Sequence, residues 1–200
     1  MRFALKGTEI AVSPLYLFLL LCISVFDYTG IVRTALVASL LHEAGHLAVL
    51  LLQRQKIYGL YFSPAGIRLD RGGDYLPGLR DIPVFLAGPA VNLLCGLAAL
   101  AALQQRFQVD VLIFCLVHLL LGGFNLLPVS VLDGGQVLYL LLWRAFGRRR
   151  ADVASALLSY AVLGLLCLAG AWLLLHTGGN PTLLIAGLYL LWAQRRQGSG

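Results

Sequence analysis

His42-Glu43-Ala44-Gly45-His46 sits in the middle of LLHEAGHLAVLLL, residues 40–52, an otherwise aliphatic stretch. On a helix, residues four apart share a face, so both imidazoles reach one metal ion, and Glu43 comes close enough to act as general base on a metal-held water. This is the zinc-plus-general-base spacing of metalloproteases, although five residues alone also arise by chance. The setting sharpens it: an Asp-, Lys- or Arg-type charge at the centre of a membrane-spanning helix costs about 2.5–3.5 kcal/mol, so ionisable groups there mark function. The alternative is two histidines packing a helix interface beside a protonated Glu43.

A catalytic zinc takes three protein ligands and leaves a fourth position open. The other acidic residue deep in an apolar region is Asp133, in VLDGG, which is expected to supply the third bond. Asp133 before Gly-Gly is also a helix N-cap signal, and both roles can hold together. His118, in IFCLVHLLL, is the competing third ligand or else a core histidine. Asn125 is expected to aim its carboxamide at a developing oxyanion. For Asn92, in LAGPAVNLL, substrate positioning and interhelical hydrogen bonding both remain open.

The elements that position these residues are membrane helices. Of the 200 residues 60% are hydrophobic and only 12% charged, and the mean hydropathy is +0.85, far from the balance of a soluble domain. A span needs about 20 apolar residues, and six candidates lie at 10–26, 31–53, 82–103, 111–147, 153–175 and 181–193. The expected fold is all-α and polytopic, one membrane-embedded domain over 1–200. Spans 31–53, 82–103 and 111–147 form the core, with 10–26, 153–175 and 181–193 peripheral. The fourth span should break at GGFNLLPVSVLDGGQ, since irregular backbone at membrane depth is tolerated where it is buried or lines a wet cavity. Gly88-Pro89 should kink or open the third. The hairpin 153–193 is expected to be structural. The stretch from about Ile57 to Leu69, with a Ser-Pro-Ala-Gly turn, reads either as a β-hairpin whose edge pairs with an extended peptide or as an ordinary loop.

Positive charge gathers on the cytoplasmic side, and 13 of the 15 basic residues fall on one side of this arrangement, all but Arg33 and Arg106. Both termini are therefore expected in the cytoplasm, and the first span is expected to be retained rather than cleaved. The formal charge of +6 reads as topology and affinity for anionic lipid, not as nucleic-acid binding. Cys22, Cys95, Cys115 and Cys167 lie in apolar spans without CxxC spacing and read as packing residues.

HEAGH in the second span, Gly88-Pro89-Ala90-Val91-Asn92 in the third and NLLPVSVLDGGQ in the fourth together resemble the site-2 protease family of intramembrane zinc metalloproteases, in particular its stage IV sporulation protein FB branch. The resemblance implies that His42, His46 and Asp133 bind one Zn2+ per chain, that Glu43 activates water, and that Asn125 holds the scissile peptide or its oxyanion. It implies a bacterial membrane enzyme with its active site toward the cytoplasm. Its substrate would be a membrane-associated pro-protein in extended conformation, a sigma-factor precursor in the sporulation branch, with a membrane-protein regulator as a further partner. The CBS domain frequent in that branch is not expected here, nor is a PDZ domain. Two rivals remain. One is a non-catalytic membrane scaffold; the other is a metal or proton transporter, against which the absence of a second histidine or LDG segment argues.

Overall fold

The computed structural model describes residues 2–5, 8–14, 18, 27–55, 58–63, 66–70, 72, 77–177 and 179–198. Among the described residues six helices dominate: α1 Ile31–Leu52, α2 Ile82–Gln105, α3 Val109–Asn125, α4 Asp133–Phe146, α5 Arg148–Thr177 and α6 Thr182–Gly198. Four short strands accompany them: β1 Arg2–Leu5, β2 Thr8–Val12, β3 Gly59–Ser63 and β4 Gly66–Asp70. The chain divides into two compact units, Met1–Phe124 and Asn125–Gly200. Among the described residues, three helical stretches are long and apolar enough to cross a membrane: Ile31–Leu52, Leu79–Gln105 and Arg148–Thr177. The apolar α3 is shorter.

In the first unit, α1 buries Ala38, His42, Gly45, His46 and Leu50. That is an i, i+4, i+7, i+8, i+12 stripe, one face of a helix of 3.6 residues per turn. The histidines therefore belong to the protein-facing stripe of α1, while Val37, Leu40 and Leu51 are exposed on its other side. Asn92 and Gly96 lie on the inner side of α2, and Leu94 and Leu97 are 66% and 55% exposed on its outer side. An exposed apolar flank of this kind suits lipid and not water. Pro83 begins α2, where the missing N–H is no loss; Gly78 N–H donates to the buried Asp81 carboxylate at 2.7 Å, fixing the preceding turn. The helix then runs unbroken through Pro89 to Gln105, so the third span is not opened at Gly-Pro.

The strands correct the N-terminal reading. Residues 10–12, taken from sequence as the start of a span, belong to β2, and most of 13–26 lies outside the described residues. The sheet order is β1-β2-β3-β4, antiparallel at both ends and parallel between β2 and β3. TEIAV is short and its partner lies about fifty residues away, so strand pairing overrides an apolar run that local hydropathy counts as helix. β3 and β4 pair as a hairpin, with the turn at 64–65 outside the described residues. Because β2 occupies one side of β3, only β1 and β4 present open edges among the described strands.

In the second unit, residues 126–132 are irregular and lead into α4. The apolar sequence from 111 to 147 is thus two helices around a break, with α3 ending at Asn125 and α4 starting at Asp133. The N-cap of α4 is Leu132, in extended conformation, and Asp133 is the first helical residue. α5 begins at Arg148, earlier than expected, and α6 continues to Gly198.

Candidate metal centre

His42 and His46 stand one turn apart on the buried stripe of α1, with ring centroids 4.7 Å apart and planes 82° to one another. The Nδ1 of His46 lies 2.7 Å from the backbone oxygen of Val84. A carbonyl only accepts, so Nδ1 carries the proton and Nε2 keeps a lone pair for a metal. Gly88 reports where those lone pairs meet: a Cβ there would lie 2.5 Å from His46 Nε2 and 2.7 Å from His42 Nε2. Both nitrogens converge on one spot against α2, and only a residue without a side chain leaves it open.

Behind His42 runs a buried chain of polar side chains. The Asn92 carboxamide is 3.2 Å from His42 Nδ1 and, at its other end, 3.1 Å from His118 Nδ1. Asn92 and His118 are both 0% exposed. His118 therefore bonds Asn92 and does not join the ligands, which removes it as a candidate third one. Phe114 packs against its ring at 4.2 Å, and its Nε2 is buried without a hydrogen-bond partner among the described residues. Glu43 is half-buried, next to His42 on α1.

In the second unit, Asn125 and Asp133 are both half-buried at the two ends of the break. The LDGG sequence is steric in origin. A side chain on Gly134 would collide with the Leu126 carbonyl, and one on Gly135 with the Val129 carbonyl. The loop folds directly onto the first turn of α4. Polar groups complete the clamp: Gln136 Nε2 donates to the Ser130 oxygen at 2.6 Å, and Ser130 N–H donates to Ser159 Oγ at 2.9 Å. Ser159 in turn donates to Gln194 Oε1. A cavity of about 390 Å³ opens beside this turn, lined in part by Ser130, Gln136, Tyr139, Asp152 and Gln194. The hairpin expected to be merely structural thus holds the loop between Asn125 and Asp133. Sequence reading missed Ser159 and Gln194 because single polar residues in apolar helices carry no spacing signal; Gly88 was visible only as part of a motif.

Within the first unit, His42 and His46 offer two convergent imidazole donors, and within the second Asp133 offers a half-buried carboxylate in the first turn of α4. Two neutral imidazoles and a carboxylate suit a zinc ion that keeps an open coordination position. The donor set and the two convergent Nε2 atoms fit that metal.

The profile of peptidase family M50 matches residues 102–169, a stretch holding Asn125 and Asp133. The zinc metalloprotease MJ0392 of Methanocaldococcus jannaschii is 30% identical over 128 residues, covering 60% of this chain and 36% of that protein. Stage IV sporulation protein FB of Bacillus subtilis is 29% identical over 139 residues, covering 68% of this chain and 47% of that protein. Over these stretches the chain is similar to peptidase family M50. It spans roughly a third to a half of the length of these curated relatives. The site-2 protease of Methanocaldococcus jannaschii shares the fold, with a TM-score of 0.66 at 23% identity over 98% of this chain and 94% of that one.

Proposed function

We propose that this chain is an intramembrane zinc endopeptidase that hydrolyses a peptide bond of a membrane-associated protein. The observation that carries the reading is the convergence of the His42 and His46 Nε2 atoms beside Gly88, and Asp133 is the proposed third ligand. Bound there, zinc would supply a Lewis acid that makes water nucleophilic near neutral pH. Glu43 takes the proton from that water and delivers it to the leaving amine. Asn125, at the end of α3, donates its side-chain N–H to the oxyanion of the scissile carbonyl. Asn92, buried between two imidazoles, holds His42 and does not touch substrate.

The polar cavity beside the first turn of α4 suits water entry at membrane depth. The substrate reaches the ligands as extended backbone, because a helix keeps its carbonyls in hydrogen bonds. The basic-residue pattern favours six spans with both termini and the active site toward the cytoplasm of a bacterium. The sporulation relative makes a membrane-tethered sigma-factor precursor the first substrate to try, with a membrane-protein regulator as a further partner. Glu43→Gln is expected to keep zinc and lower cleavage of a co-expressed precursor by about 10²–10⁴-fold, the usual contribution of a general acid–base. Full cleavage in that variant would exclude the mechanism.

A further inference from the structure

The chain His42–Asn92–His118 has two self-consistent arrangements of its hydrogen atoms. In one, His118 Nδ1–H donates to Asn92 Oδ1, and Asn92 Nδ2–H donates to His42 Nδ1. In the other every donor and acceptor is reversed. Which nitrogen of an imidazole carries the proton, and which way a carboxamide points, follow from the neighbours. The two arrangements differ in what His42 offers at Nε2: an N–H in the first, a lone pair in the second. His42 Nε2 lies beside His46 Nε2 at Gly88, and His46 already has its proton on Nδ1, fixed by the Val84 carbonyl. A shared cation needs the second arrangement.

We propose that His118 is a positioning residue for the metal centre. Its bare Nδ1 accepts from Asn92 Nδ2–H, turning Asn92 Oδ1 toward His42 Nδ1–H and thereby presenting the His42 Nε2 lone pair. The inference rests on the zinc reading above for its purpose; its three side chains lie wholly in α1, α2 and α3. Asn92 Nδ2 is placed 3.2 Å from His42 Nδ1 and Asn92 Oδ1 3.1 Å from His118 Nδ1, so the proposed arrangement interchanges the nitrogen and oxygen of the carboxamide. It also explains a costly feature. With Nδ1 bare, the neutral ring carries its proton on Nε2, the atom that is buried without a partner. An orphaned buried N–H is rare and destabilising, so a ring kept this way serves something other than stability.

The test uses the full chain in detergent or nanodiscs with ¹⁵N-labelled histidine. The sequence has only four histidines, so single substitutions assign the spectrum. In the wild type, with and without zinc, His118 is expected as the Nε2–H tautomer and His42 as Nδ1–H. The opposite pair overturns the proposal, and it does so even if the protein binds no zinc, a result that would instead count against the proposed function. His118→Phe keeps the packing on Phe114 but removes the acceptor. It is expected to melt at or above the wild-type temperature, to weaken zinc binding by about tenfold, the low end for loss of a supporting partner, and to mix the His42 tautomers. His118→Asn, which restores an acceptor near the Nδ1 position, should recover zinc affinity. A folded His118→Phe protein with unchanged tautomer and affinity overturns the proposal. If that variant does not fold, the wild-type tautomers alone decide.

Discussion

His46 Nδ1 donates to the backbone oxygen of Val84 at 2.7 Å, so a side chain of α1 is oriented by the main chain of α2. An acceptor in the backbone survives any change of side chain. Val84→Ala is therefore expected to loosen packing yet leave zinc affinity close to wild type, well short of the roughly 10–100-fold that loss of a second-shell partner costs. Competition with a zinc-chelating dye measures it, and a tenfold loss would mean that the Val84 side chain matters.

Gly88 behaves differently. Its Cβ would sit 2.5 Å from His46 Nε2 and 2.7 Å from His42 Nε2. Gly88→Ala must push both rings away or part the helices, at about 1–3 kcal/mol for overpacking. Zinc content after purification is expected to fall to near zero, and stoichiometric zinc in this variant would contradict the convergence of the two nitrogens.

At the break, Gly135→Ala drives a methyl into the Val129 carbonyl. The backbone there cannot yield cheaply, so the loop 126–132 should detach from α4. We expect lost cleavage together with faster hydrogen exchange across 126–132. Native exchange rates in this variant would argue against the clamp.

Ser159→Ala leaves the Ser130 N–H without its acceptor. A buried donor so stranded costs about 1–3 kcal/mol, and the half-buried Ser130 N–H lies at the lower end of that range. Thermal melting is expected to fall accordingly, while Ser159→Thr, which keeps the hydroxyl, should recover most of the loss.

Asp27 sets an acid limit. It accepts from the Arg33 backbone N–H at 2.8 Å, and that bond first, with the Thr29 hydroxyl, the Gly30 backbone and the Arg33 charge behind it, holds its carboxyl below the ordinary value against the opposing effect of desolvation. The folded pKa is lowered, so the contribution is complete above the ordinary carboxylate value of about 4 and is lost as pH falls through the folded one. Asp27→Asn should lower the melting temperature at pH 7 and matter less as the pH falls through the acid range; an equal loss throughout would exclude the linkage.

Much of this protein was legible in its sequence. The i, i+4 histidines were readable because helix periodicity alone puts them on one face, and their cost in lipid assigns that face to the protein interior. The break before Asp133 was readable because Pro, Gly-Gly and Asn in an apolar run have few other uses. What the sequence left open was decided by contacts between segments far apart in the chain. Whether His118 is a ligand or a support depends on which carboxamide it meets, and that partner lies 26 residues away. Whether Thr8–Val12 starts a span or a strand depends on Gly59–Ser63. Hydropathy and periodicity are local quantities, whereas a tautomer, a strand partner and the space left by a missing Cβ are set by the neighbour that tertiary folding brings.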